Sequence, residues 1–438
     1  MITINKIQLN NFRFFIDDMK NNTFELNGKN LLVYGENGSG KSSLFKAFDF
    51  LSTPSISEDT FMENINIFNQ NDTYLEFDFS NSETLRIDSD HLSLESDFNF
   101  VEKLSVSKPM IEYKDLLKVS FLEENRDKNL YSFFEKILEN YPVDNGLTVL
   151  KALTGEEYFN KYKQIIKDDI FDDMNLFLNK FNHNIKITDI HFDGFNKTTF
   201  LEIEYFNEPI LKYHQFLNEA RLSALAISIY FAIIKKQFDL LLEDSLKILV
   251  LDDLLISLDM NNRLSLIDIL KSEFNDFQIF FFTHDKTLFE IFKDKMDWKP
   301  YEIYVDENEE GVEIPFIKTS NSLLQQAIKH KIDKNYDCSA NLLRQYCEKL
   351  LCKLLPAAKL VNKNCKTLDL NGLLQNGISF ENDKHANKNR TTIDILIELQ
   401  TFRRVLLNPA SHNDDTSIFK REIEDTIKLL DDLAQELE

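Results

Sequence analysis

The sequence predicts an α/β fold followed by an all-helical carboxy-terminal domain, on three observations. Residues 30–45 read NLLVYGENGSGKSSLF, an apolar strand, a glycine-rich loop and the opening of a helix. The apolar runs Ile248–Leu251 and Gln278–Phe282 have the composition of strands buried on both faces. After Ile317 the apolar spacing turns helical.

The loop comes first because each residue type in it has a mechanical reason. Gly35, Gly40, Lys41 and Ser42 fit the spacing G-x-x-x-x-G-K-[ST] of a phosphate-binding loop. Glycines at 35, 38 and 40 let the backbone turn and aim N–H groups at phosphate oxygens, with Asn37 and Ser43 in the same cradle. The helix beginning near Lys41 adds its positive end. Lys41 is expected to hold the β and γ phosphates of ATP, and the Ser42 hydroxyl to ligate Mg²⁺.

Length and composition bound the rest. The 438 residues leave room for about two or three domains. Met1–Asn11 mixes apolar and polar residues as a strand does and lacks the layout of a signal peptide. No uncharged apolar run reaches the ~18 residues of a membrane span, and the longest, Leu222–Ile234, reads as a buried helix. A cytoplasmic protein is expected. Cys338, Cys347, Cys352 and Cys365 form no metal-ligand spacing and read as free thiols. The formal net charge of −23 disfavours general coating of DNA and favours a basic protein partner, leaving nucleic acid only a local basic patch.

Along the chain, Ile7 and Leu9 alternate with Lys6, Gln8 and Asn10 as in a half-buried strand, while Ile2 and Ile4 fall in the opposite register and predict a bulge near Asn5. Thr23–Leu26 supplies its antiparallel partner. Tyr74–Ile87 reads as a hairpin turning at Asn81-Ser82. Between about Asn125 and Asn182, apolar residues from Phe159 to Phe181 recur every three or four positions, an amphipathic helical stripe. Ile185–Tyr205 reads as two strands around Asp193-Gly194, and Phe216–Ile234 as a buried helix that Asn218 can cap. The run ILVLDD ends a buried strand on Asp252, where a carboxylate meets Mg²⁺. Tyr301–Tyr304 and Val312–Ile317 close the sheet. The segments Ser322–Leu355, Leu368–Leu374, Thr391–Leu407 and Phe419–Leu437 then make the helical domain.

A strand ending in Asn-Phe-Arg about twenty residues before GENGSGKSS resembles the RecF/SMC-type branch of ABC ATPases. The resemblance implies an ABC-type head, a mixed sheet with helices on both faces, and divides the chain into lobe 1–125, a short helical insertion 126–182, lobe 183–320 and helical domain 321–438. It also assigns roles. Arg13 would approach the phosphates. Leu217-Asn218-Glu219-Ala220-Arg221 stands where the family has its signature, so Asn218 would reach the γ phosphate on a partner subunit. Asp253 would orient the attacking water in place of the usual glutamate, and one methylene less predicts slow turnover. Asp259, in Ser257-Leu258-Asp259, would cross to the opposite subunit, and His284 would touch the γ phosphate. The family's glutamine loop has no match, since Met110–Leu116 (MIEYKDL) lacks a glutamine.

Three functions follow. The leading one is an ATPase switch that dimerises its heads around ATP and Mg²⁺ and controls a separate effector, a nuclease encoded nearby. It resembles the OLD-like ATPases of bacterial anti-phage modules such as PARIS, Septu and retron-linked systems. The second is a RecF-like repair ATPase on DNA. The third is a self-contained ATPase-gated ribonuclease, because Arg404 and His412 faintly resemble a HEPN site, though seven residues separate them where that family has about four to six. Docking is the preferred role for that pair.

Overall fold

A computed structural model describes residues 2–16, 22–94, 98–112, 114, 129–144, 148–241, 245–254, 260–319, 323–362, 366–384, 390–403 and 420–437, in two compact units, Met1–Thr319 and Ser320–Glu438. The first unit opens with β1 (Ile4–Asn10), β2 (Thr23–Glu25) and β3 (Leu31–Gly35), then the phosphate-loop helix Lys41–Leu51. β1 pairs antiparallel with β2 and with β4 (Tyr74–Phe79), and its register slips between Ile4 and Lys6, which places the bulge at Asn5 as the two apolar registers require. β4 turns back into β5 (Thr84–Asp88) through Asn81-Ser82, with Ser82 at φ 70°.

β6 (Met110–Glu112) is a short strand on the edge of the main sheet. The insertion follows, with helix Tyr131–Leu138, the small hairpin β7 (Pro142–Asp144) and β8 (Thr148–Val149), and helices Gly155–Gln164 and Phe171–Lys180. A π-helical stretch over Ile165–Asp169 joins the last two without moving the stripe off the core, since Tyr162, Ile166, Ile170, Met174, Phe177 and Phe181 are all buried. These side chains belong to the same apolar cluster as the sheet: Phe177 stacks on Phe274 at 6.0 Å and meets Phe231 edge-on at 5.7 Å. β9 (Ile185–Asp193), β10 (Thr198–Tyr205) and β11 (Glu208–Ile210) form a separate antiparallel sheet in the order β11-β10-β9.

The main sheet is completed by β12 (Ile248–Asp252), β13 (Gln278–Thr283), β14 (Lys299–Glu307) and β15 (Glu313–Thr319). Its order is β15-β14-β3-β13-β12-β6, parallel except for the antiparallel edge strand β15, with helices on both faces. This is the mixed α/β architecture expected. Every residue of β12 and β13 is buried, which explains their unbroken apolar runs. The long helix Glu219–Leu240 is apolar on nearly all sides for the same reason. Phe48 docks the phosphate-loop helix, its ring 4.4 Å from Phe280 of β13. The buried amide of Gln278 ties the amino-terminal sheet to the main one, accepting from the Ile4 N–H at 2.7 Å and donating to the Ile4 and Lys29 carbonyls. No helix among the described residues is long and apolar enough to cross a membrane.

One ion cluster joins three helices of this unit. Glu273, on helix Met260–Glu273, holds Lys180 at 2.8 Å and also pairs with Lys235 of the long helix. Hydrogen bonds from both lysines pull its carboxyl down to about 2, so the cluster stabilises the fold above the ordinary glutamate range and loses that contribution as pH falls through about 2. Glu273→Gln is therefore expected to lower stability by about 1–2 kcal/mol at pH 7. Urea titrations should show the gap between wild type and variant narrowing between pH 5 and pH 2.

The second unit is helical, with helices Leu323–Ile332, Tyr336–Leu354, Leu370–Asp383, Arg390–Phe402 and Lys420–Glu436 around Leu343, Cys347, Leu351, Leu374, Leu396 and Leu430. The expected segment Ser322–Leu355 is two helices. Lys334 takes the left-handed conformation at φ 62°, and the N–H groups of Lys334 and Asn335 return to the carbonyls of Lys331 and His330, a helix-ending motif built without glycine. Arg344 and Glu348 pair across one turn at 3.2 Å. Cys347 is buried and free, Cys338 and Cys352 are exposed, and Cys365 lies outside the described residues.

Candidate functional site

Three parallel strands, β3, β13 and β12, end side by side, and the loops after them build the site. Carboxyl ends of parallel strands are the usual ligand edge of such sheets. After β3 the chain turns through Glu36, Asn37 and Gly38, all exposed, into the helix at Lys41. Gly35 admits no side chain, because a Cβ there would meet the Ser39 hydroxyl at 2.3 Å and the Ile303 carbonyl at 3.3 Å. Gly40, the helix N-cap, sits at φ 103° and offers no capping side chain, so no side chain competes with an anion for the first helical N–H groups. Ser42 is exposed on the first turn, while the buried Ser43 hydroxyl accepts the Phe14 N–H at 3.4 Å.

Lys41 is buried and folded over the loop, its Nζ donating to the Gly35 carbonyl at 2.6 Å and the Glu36 carbonyl at 3.1 Å. Burial lowers its pKa, against the pull of Asp253 and Asp252. Asp252, at the end of β12, is 9% exposed, and its Oδ1 has no hydrogen-bond partner. Burial first, then the neighbouring charges of Asp253 and Glu112, push its carboxyl up to about 7, with Lys41 acting the other way. A buried carboxyl group with an unpartnered Oδ1, lining the same cavity as Ser42, is a donor set that suits a hard divalent cation, and Ser42 and Asp252 are the residues that would hold Mg²⁺.

Asp253 adopts φ 52°, a left-handed backbone that aspartate tolerates better than most residues. Its Oδ1 accepts the His284 backbone N–H at 2.9 Å, and the His284 Nδ1 lies 2.8 Å from the same oxygen. The two strand ends are thus tied directly, since Asp253 follows β12 and His284 follows β13.

A cavity of 450 Å³ opens beside these groups, walled by Ser42, Asp252, Glu112, Lys114, Arg13 and the long helix at Tyr230. Glu112 is brought there by β6, whose parallel pairing sets it level with Asp252. It belongs to the stretch Met110–Leu116, which has no glutamine, and so puts a carboxylate in the wall, with Lys114 at 3.8 Å. Arg13 is exposed at the mouth, donating to the Asn64 side chain at 2.8 Å, and it also lines a second cavity of 670 Å³ with Phe14, Ser43 and Ile65.

Asn218 caps the long helix as expected, its side-chain oxygen accepting the Arg221 N–H at 3.0 Å. It is not part of the same cavity wall. Twelve residues along that helix separate it from Tyr230, about 18 Å at the helical rise. The cavity wall itself gathers Arg13, Ser42 and Asp252; Lys41 and Asp253 act on Asp252 by charge from outside that wall, His284 joins through Asp253, and Asn218 is not among the lining residues. Asp259, Arg404 and His412 lie outside the described residues.

No protein-family model matches the chain, and no curated protein matches it. Solved structures do. An Smc head bound to the C-winged helix domain of ScpA aligns over 73% of this chain and 98% of its own at 13% identity, with a TM-score of 0.45. The Smc head domain with an extended coiled coil, bound to the C-terminal domain of ScpA derived from Pyrococcus furiosus, covers 76% of this chain and 100% of its own at 12% identity and a TM-score of 0.46. The SMC head domain from Thermotoga maritima covers 73% of this chain and 99% of its own at 14% identity, with a TM-score of 0.39.

Proposed function

We propose that this chain is a magnesium-dependent ATPase of the ABC type whose copies work in pairs, each phosphate loop being completed by the Asn218 helix of the other. The observation that carries this reading is Asp252: a buried carboxyl group with a partnerless oxygen, within reach of the charges of Lys41 and Asp253 and lining one cavity with Ser42. Mg²⁺ bound by Ser42 and Asp252 would neutralise charge on the β and γ phosphates. Lys41 exchanges two loop carbonyls for phosphate oxygens, and the open N–H groups after Gly40 hold the same oxygens. Asp253 orients and deprotonates the attacking water, and His284 keeps its carboxylate in place. Asn218, about 18 Å along its helix from the cavity wall, serves the nucleotide on the partner.

Mixing two inactive variants tests the shared site. In a dimer of one Lys41→Ala and one Asn218→Ala chain, one seam carries both lesions and the other carries none. Random pairing makes half of the dimers mixed, so the mixture is expected to recover up to about a quarter of wild-type hydrolysis, while each variant alone stays inactive. No recovery would remove the shared site from the reading. The wider setting we infer is a bacterial anti-phage module in which closure of the heads governs a separate nuclease. The short insertion and helical second unit support it through their resemblance to such ATPases. Phage plating on cells carrying the chain with its neighbouring reading frames, wild type against Lys41→Ala, tests that setting, with protection expected only from the wild type.

A further inference from the structure

Asp253 and His284 meet at one oxygen, and the residue after His284 carries a second tie. The Oδ1 of Asp285 caps helix Lys286–Lys295, accepting the Leu288 N–H at 3.0 Å, while its Oδ2 accepts from the Arg263 Nη1 at 2.5 Å. The cap alone needs only the first oxygen. Burial by itself would raise the Asp285 carboxyl, yet the Leu288 N–H and the Arg263 guanidinium hold it below the usual aspartate range, so the pair is ionised at neutral pH. Arg263 stands in an unfavourable place. Its side chain is 15% exposed, and it is the fourth residue of helix Met260–Glu273, whose positive end a cation opposes. Its own helix gains nothing from the charge, so the position serves the contact with Asp285.

We infer that Arg263 is a positioning residue for hydrolysis: by fixing Asp285 it sets the place of the His284 backbone N–H and ring, and through them the orientation of the Asp253 carboxylate. The inference rests on the ATPase reading above and adds a residue that does not line the cavity. Chain connection supports it. Asp253 follows β12 and Arg263 lies ten residues further on, so the two ends of that stretch hold the consecutive residues His284 and Asp285. One planar peptide unit joins those two residues, and a shift at Asp285 is passed to the His284 contacts. Both of those contacts end on the single Asp253 oxygen. A misplacement of about 1 Å at reacting groups costs up to about a hundredfold in rate, so a small loosening at Asp285 reaches the chemistry.

The test uses the full chain, with ATP hydrolysis, binding of a fluorescent ATP analogue with Mg²⁺, and thermal melting followed side by side. Arg263→Met, assayed well below its melting temperature, is expected to lower kcat by roughly tenfold or more while the analogue's affinity stays within about twofold. Asp285→Asn keeps an oxygen for the Leu288 N–H, so the helix stays capped, and it is expected to lose kcat to the same extent. It carries the test alone if Arg263→Met does not fold. In the Asp253→Asn background, Arg263→Met is expected to add little further loss, because both act through one carboxylate. A lowered Tm with kcat unchanged makes the pair a structural tie only and overturns the inference, as does affinity that falls in step with kcat. Losses that multiply in the double variant overturn the route through Asp253. A wild-type chain that hydrolyses no ATP overturns the ATPase reading, and this role with it.

Discussion

Lys41→Ala is expected to weaken ATP binding by at least about a hundredfold and to abolish hydrolysis. On the proposed reading the Lys41 ammonium would meet the phosphates, and its present partners are neutral carbonyls that a phosphate would outcompete. A charge-assisted hydrogen bond to phosphate in a sheltered site contributes about 3 kcal/mol, and each 1.4 kcal/mol is tenfold in affinity. The free chain should keep its stability, because burial already disfavours the charged lysine and alanine relieves that penalty. The two effects separate cleanly in a melting experiment. Without nucleotide, Tm should differ little between variant and wild type, whereas the rise that Mg-ATP gives the wild type should vanish. Lys41→Met keeps most of the bulk and should fail equally. A variant that still gained Tm with Mg-ATP would remove Lys41 from the phosphate site.

What the sequence made legible here follows from how far each interaction reaches along the chain. The phosphate loop is contiguous, so Gly35, Gly40, Lys41 and Ser42 could be read from spacing alone. The Asn5 bulge, the Asn81-Ser82 turn and the Asn218 cap are also local, each written in a handful of residues. The site's other features depend on which strands lie together. Glu112 reaches Asp252 only because β6 pairs with β12, and nothing in MIEYKDL reports that pairing. Asp253 and His284 are 31 residues apart and meet because β12 and β13 are neighbours, ending in register. Order of motifs brought both residues to notice, but neither the shared oxygen nor the left-handed backbone at Asp253 could be inferred from it. In the insertion, periodicity gave the stripe, while its burial in the core of the sheet is a tertiary fact.

That shared oxygen makes Asp253→Asn the more informative catalytic variant. Asparagine tolerates φ 52° as aspartate does and keeps an oxygen to accept the His284 N–H, so the loop should retain its shape. It loses the charge that would deprotonate water. Turnover is expected to fall by roughly 10²- to 10⁴-fold, with nucleotide affinity nearly unchanged and an ATP-bound dimer that persists on gel filtration. Asp253→Ala removes the same charge and also puts a residue poorly suited to positive φ at that turn, adding about 1 kcal/mol of destabilisation that thermal melting would register. His284→Ala should cut turnover through the same carboxylate. The double variant Asp253→Asn/His284→Ala should therefore be little slower than the worse single one, because residues that act through one contact lose it only once. Additive losses would mean that His284 meets the phosphate independently of Asp253. An Asp253→Asn dimer that dissociated as fast as the wild type would deny Asp253 its part in hydrolysis.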